Sequence, residues 1–141
     1  MKLLRVTLRV CDQQEALRFY TEKLGFVIQA DFPYGQGQHW ITVAPADEPS
    51  VQIVLQPPDW FSGEERAQHL LYAGHNPTLV FQVENCHATH ARLQKNGVKF
   101  PLPPTEHAYG IEADATDMDG NTLVFLQLSN TIPGTGTPAG T

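Results

Sequence analysis

Residues 4–26, LRVTLRVCDQQEALRFYTEKLGF, spell out a strand, a helix cap, a helix and a stop in that order. Leu4, Val6, Leu8 and Val10 are apolar while Arg5, Thr7 and Arg9 between them are polar, the period-2 pattern of a strand with one face in a core. Asp12 is placed to cap a helix, and Glu15 to reach back to the cap residue's N–H. Ala16, Leu17, Phe19, Tyr20 and Leu24 then recur at roughly helical spacing, so the helix is expected to run to about Leu24, where Gly25 can end it at positive φ. Extended chain resumes at Phe26.

Further along, the pattern predicts a strand over 26–30, a turn at Tyr34-Gly35-Gln36-Gly37, a strand from His39 to Ala44 and another from Val51 to Gln56. The order is βαβββ. A proline-bounded connector follows, with a short helix expected over 64–71. The first pattern then returns at an offset of 73: Leu79, Phe81 and Val83 stand where Val6, Leu8 and Val10 stood, and Asn96-Gly97-Val98 falls near Leu24-Gly25-Phe26 after one deletion. Asn85 is the expected cap of the second helix. Strands over 98–102, 109–116 and 121–128 complete the copy, the last two joined at Asp117-Met118-Asp119-Gly120. The chain therefore divides into a module over 1–58, a connector over 59–76, a second module over 77–129 and an aperiodic tail over 130–141, within one domain overall.

Composition narrows the function. The 141 residues carry 9 Lys and Arg against 15 Asp and Glu, a net charge of −6, which offers no footprint for nucleic acid. No apolar run approaches the ~18 residues that cross a bilayer, and Lys2, Arg5 and Arg9 interrupt any signal-type stretch, so a cytoplasmic protein without membrane contact is expected. Cys11 and Cys86 form no metal-type pair and are expected to be free thiols in packing roles.

Strand parity assigns the face away from the helices to Leu3, Arg5, Thr7 and Arg9; to Gln52, Val54 and Gln56; to Thr78, Val80 and Gln82; and to Thr122, Val124, Leu126 and Leu128. An apolar surface with a few converging polar groups is how small-molecule sites are built, although an ordinary solvent-facing sheet has the same parity. Arg5 cannot be buried alone, because that costs several kcal/mol; Glu112, Asp114, water or a bound anion must meet it.

The segments Val10 to Phe26, Tyr109-Gly-Ile-Glu-Ala and Asp117-Met-Asp-Gly-Asn-Thr-Leu-Val-Phe-Leu-Gln127 resemble the glyoxalase, bleomycin-resistance and extradiol-dioxygenase (vicinal oxygen chelate) superfamily over about residues 1–128. The resemblance implies an α+β protein of two tandem βαβββ modules, whose eight strands form a cup with helices outside and which commonly dimerises. Metal-using members hold their ion with His, Gln or Glu at positions that fall here on Arg5, Val54, Thr78 and Val124. These are a cation, two hydrocarbons and one hydroxyl, so no metal and no other cofactor is expected.

What the resemblance then implies is a metal-independent homodimer that binds a small organic molecule, sequestering a drug or toxic metabolite as bleomycin-resistance-type members do. Arg5, Thr7, Gln52, Gln56, Thr78, Gln82 and Glu112 are the expected polar contacts, with Trp40 and Tyr109 as apolar surface, and no catalytic residue. The alternatives are a glyoxalase-like lyase or isomerase, a ring-cleaving dioxygenase, a metal-free acid–base enzyme using Glu112 or Asp114 beside Arg5, or a scaffold whose cup is filled by its own side chains. Of the six histidines, His87 and His90 are expected on a helix surface, while His39 stands beside Trp40 on a strand of undetermined register.

Overall fold

A computed structural model describes residues 1–130. It contains two four-stranded mixed sheets. In the first, β1 (Arg5–Arg9), β2 (Val27–Pro33), β3 (His39–Ala44) and β4 (Gln52–Gln56) run in the order β1-β4-β3-β2. In the second, β5 (Leu79–Gln82), β6 (Lys99–His107), β7 (Gly110–Thr116) and β8 (Thr122–Leu128) take the equivalent order β5-β8-β7-β6. Each first strand lies parallel to its module's last, with Arg5 opposite Gln52 and Leu79 opposite Leu123. This is the duplicated βαβββ pattern expected from the 73-residue offset. Residues Met1–Asn76 with Met118–Asn121 form one compact unit, and Pro77–Asp117 with residues 122–130 the other.

In the first unit Leu8, Val10, Ile53, Leu55, Ile41 and Val43 are buried with Ala16, Phe19, Tyr20 and Leu24. Helix α1 (Gln13–Arg18) starts at Asp12, whose carboxylate accepts from the Glu15 N–H. The expected continuous helix to Leu24 is corrected: after Arg18 the coil widens into a π turn over Phe19–Lys23, with Leu24 N–H bonded to Phe19 O. The Thr21 hydroxyl donates to the Leu17 carbonyl at 2.7 Å, a side-chain bond that competes with the regular ladder there. Phe19 and Tyr20, neighbours in sequence, are both buried by this arrangement and meet edge to face.

Helix α2 (Gly63–Tyr72) is tied to β1 through His69, which is buried with Nε2 3.0 Å from the Val10 carbonyl. The Asn76 side chain accepts from the Arg9 N–H and donates to the Arg9 carbonyl, each at 2.9 Å, as an added strand would. Asn121, 1% exposed, accepts from both the Asn76 backbone N–H and Nδ2. Asp119 accepts from the Cys11 N–H. The Asp117–Asn121 turn, read from sequence as a hairpin, thus also serves as the lock on the end of β1. Asn121→Ala is expected to cost about 1–3 kcal/mol, since two donors on Asn76 lose their acceptor. Urea midpoints test this against Asn121→Asp, which keeps an acceptor; equal midpoints for the Ala variant and wild type would mean the lock is dispensable.

In the second unit α3 (Cys86–Lys95) is capped as expected by Asn85, which accepts from the Ala88 N–H. Cys86, Leu93, Val98, Ala113, Ala115, Leu123 and Phe125 are buried. Strand β6 runs on to His107, well past the expected end at Leu102. Pro101, Pro103 and Pro104 are tolerated because β6 is an edge strand, and its ladder to β7 shifts register between Lys99 and Leu102 and again between Leu102 and Thr105.

Candidate ligand-binding site

The site residues foreseen from sequence fall into two groups, one in each unit. In the first unit Arg5, Thr7 and Arg9 stand opposite Gln52, Val54 and Gln56, and Thr42 stands opposite Val54. Trp40, Thr42 and Ala44 therefore share this face with Phe32, the partner of Trp40 on β2. Arg5, Thr7, Trp40, Gln52 and Gln56 are thus brought onto one sheet face, away from the α1 side.

On this face the Arg5 guanidinium lies 5.5 Å from the centroid of the Trp40 ring, so its arm crosses the Thr7–Val54–Thr42 row diagonally. Trp40 in turn stacks on Trp60 at 5.8 Å and 10° between planes, and Tyr34 touches both indoles. Trp60 comes from the 3-10 turn Pro58–Trp60 that follows β4. Tyr34 and Phe32 are about half exposed. Arg9 lies over Tyr72 at 5.0 Å. Neither arginine makes an ion pair among the described residues, where Asp31 pairs with His39 and Asp59 with Arg66. Two buried polar atoms here, Thr42 Oγ1 and Trp60 Nε1, have no hydrogen-bond partner among the described residues. The sequence offered no means of bringing Trp60 to Trp40, because that contact depends on how the chain turns after β4.

The second unit holds a different group. Gln82 and Glu112 flank Leu126, and Asp114 stands opposite Val124 and Leu102, so the carboxylates sit on an apolar face with Val80. Tyr109 lies in the turn before β7, not within it as expected, and its hydroxyl donates to Glu112 at 2.6 Å. His107 stacks on the Tyr109 ring at 4.9 Å. Thr78 is corrected: it precedes β5 and is exposed, because the strand begins only at Leu79. Hydrogen bonds from Tyr109 and then Asp114 hold Glu112 below the usual carboxylate range. Burial, followed by the bond to Glu112 and that group's charge, pushes Asp114 up to about 6. The pair therefore retains a proton to unusually high pH.

Other candidates resolve into packing. His39 has the parity of Ile41 and faces away from Trp40, with Nδ1 3.1 Å from Asp31. His90 packs edge-on to Phe100. Cys86 is buried, its thiol pushed up first by burial and then by the Glu112 charge, the reverse of what an activated helix N-terminal thiol requires. An open cleft of about 270 Å³ beside the aromatic stack is lined by Gln13, His39 and Trp60 among others. As for a metal, the four positions Arg5, Val54, Thr78 and Val124 do not fit one, and among the described residues no three His, Cys, Asp or Glu side chains gather into a metal-holding group.

The sequence profile of the Glyoxalase/Bleomycin resistance protein/Dioxygenase superfamily matches residues 2–125. The chain belongs to this superfamily. YetH of Bacillus subtilis (strain 168) is 35% identical over 121 residues, covering 86% of this chain and 92% of YetH. The crystal structure of UcmS2 superposes with a TM-score of 0.80 at 36% identity, over 89% of this chain and 97% of that one. The crystal structure of TnmS3, an antibiotic binding protein from Streptomyces sp. CB03234, gives a TM-score of 0.76 at 30% identity, over 92% and 97%. Small-molecule binding fits this company. No helix among the described residues is long and apolar enough to cross a membrane.

Proposed function

We propose that this protein is a metal-independent, cytoplasmic, homodimeric binder of flat organic molecules, sequestering an antibiotic or toxic metabolite without transforming it. The observation that carries the reading is the stack of Arg5, Trp40 and Trp60 with Tyr34 on the first unit's sheet face. Half-buried indoles packed against one another, with Tyr34 and Phe32 exposed beside them, present an aromatic surface whose ordering cost is already met before a ligand arrives. The TnmS3 likeness supports the antibiotic class. The donor chemistry at Arg5, Val54, Thr78 and Val124 supports independence from a metal, since a divalent ion wants about three N, O or thiolate ligands.

Acid–base turnover is the second reading, favoured by the Glu112 and Asp114 pair, whose retained proton is the property a general acid needs. Product analysis separates the two. A panel of polycyclic aromatic compounds is titrated calorimetrically, and each bound compound is recovered and checked by mass spectrometry. Binding is expected with every compound recovered unchanged, and Trp40→Ala is expected to weaken it about tenfold or more, roughly the value of one lost aromatic stack. Equal binding by the Trp40→Ala variant would remove the aromatic face from the site, and altered compounds would favour the enzyme.

A further inference from the structure

We infer that the ligand taken by the first unit's face is a planar aromatic anion, carrying a carboxylate or an ionised phenol that the Arg5 guanidinium grips. The inference rests on the aromatic-binding reading above and adds the ligand's charge. Its basis is an imbalance of donors and acceptors. Arg5 and Arg9 both lie over aromatic rings, and neither has a carboxylate partner among the described residues. A guanidinium held over an aromatic ring keeps N–H donors that the ring does not satisfy, in the planar fork that matches a carboxylate. Trp60 Nε1, without a partner among the described residues, can likewise only donate.

Guanidinium and indole N–H groups can only donate, so a ligand that supplies acceptors gains where a ligand that supplies donors does not. Phe32 and Tyr34, half exposed at the same place, provide the surface for its ring. The whole chain is acidic at −6, which repels anions at long range. A preference for an anion would therefore have to come from these local groups.

Three probes of one shape decide the matter: anthracene-2-carboxylate, its primary amide and 2-(aminomethyl)anthracene, titrated by calorimetry at pH 7.5 into the full chain. The carboxylate is expected to bind at least tenfold more tightly than the amide. In Arg5→Gln that ratio should fall to within about twofold, whatever the change in amide affinity itself, and in Arg5→Lys, with the charge but no fork, it should lie between. Arg5 is exposed, and matching circular dichroism and melting curves will show that the variants fold. Equal affinity for acid and amide would overturn the anion assignment while leaving aromatic binding intact. Tightest binding of the amine would overturn it too, as would a ratio unchanged in Arg5→Gln. Failure of all three probes to bind would bring down the aromatic-binding reading along with it.

Discussion

Gly110→Ala should destabilise the second unit by about 3–5 kcal/mol, at the upper end of what single substitutions cost, because strain at a special φ adds to a main-chain collision. Gly110 sits at φ +146°, and a Cβ there would collide with the Gln127 carbonyl oxygen and lie 3.1 Å from the Leu128 Cα. These are main-chain atoms of β8, paired with Gly110 in the ladder and fastened just beyond it by the Ser129 N–H bond to the Tyr109 carbonyl. No side chain can rotate out of the way. Relief requires β7 and β8 to separate at this end, which would also draw Tyr109 from Glu112, to which it is held at 2.6 Å. Gly25→Ala is the control: its φ of +79° carries the left-handed penalty of about 1–2 kcal/mol, but nothing lies within 4 Å of the added carbon. Denaturant midpoints and near-ultraviolet circular dichroism of the two variants compare them directly. Equal losses would mean that the strands do not approach this closely at Gly110.

That contact illustrates where sequence reading stopped. The alternation in β1, the Asp12 and Asn85 caps and the glycines after each first helix are local signals, and each appears in the structure where its chemistry put it. Parity carried equally well: the partners of Arg5, Thr7 and Arg9 are Gln52, Val54 and Gln56, because a strand cannot change face without a bulge. Signals that depend on distant chain were not legible. The role of Asn76 and Asn121 as the lock on β1 joins residues 45 apart, one at the end of the expected connector and the other at the start of the expected last strand, with no local signal linking them. Trp60 was separated from Trp40 by a loop, a strand and a turn, so their stacking could not be anticipated. The face of His39 was settled only by the β2–β3 register, which places Pro33 opposite it and Phe32 opposite Trp40. The π turn at Phe19 is a different case, for the helical period there is unbroken and only the Thr21 hydroxyl hinted at competition.

Asp114→Asn is expected to leave stability unchanged near pH 4 and to raise it by about 1–2 kcal/mol at pH 7.5. In the unfolded chain an aspartate titrates near ~3.9. In the fold, burial first and then the bond to Glu112 and its charge hold Asp114 up to about 6. Between those values the folded protein keeps a proton that the unfolded chain has released, so stability falls as pH rises through this window. The contribution is complete below about pH 4 and gone once the pH has passed the folded value. Glu112 acts in the opposite sense: held below its usual range by Tyr109 and Asp114, it adds stability that is lost only on acidification below about pH 4.3. The window from 4 to 6 is thus left to Asp114. Asparagine keeps a donor for Glu112 and cannot titrate, which removes the slope. A shift of about two units corresponds to about 3 kcal/mol at most, reduced here because the side chain is partly in contact with water. Urea midpoints of both proteins at half-unit steps from pH 4 to 7.5 read the difference, in which the histidines common to both cancel. Parallel curves would show that Asp114 is ionised in the folded protein throughout, and the proton needed for acid–base chemistry at this pair would then be missing as well.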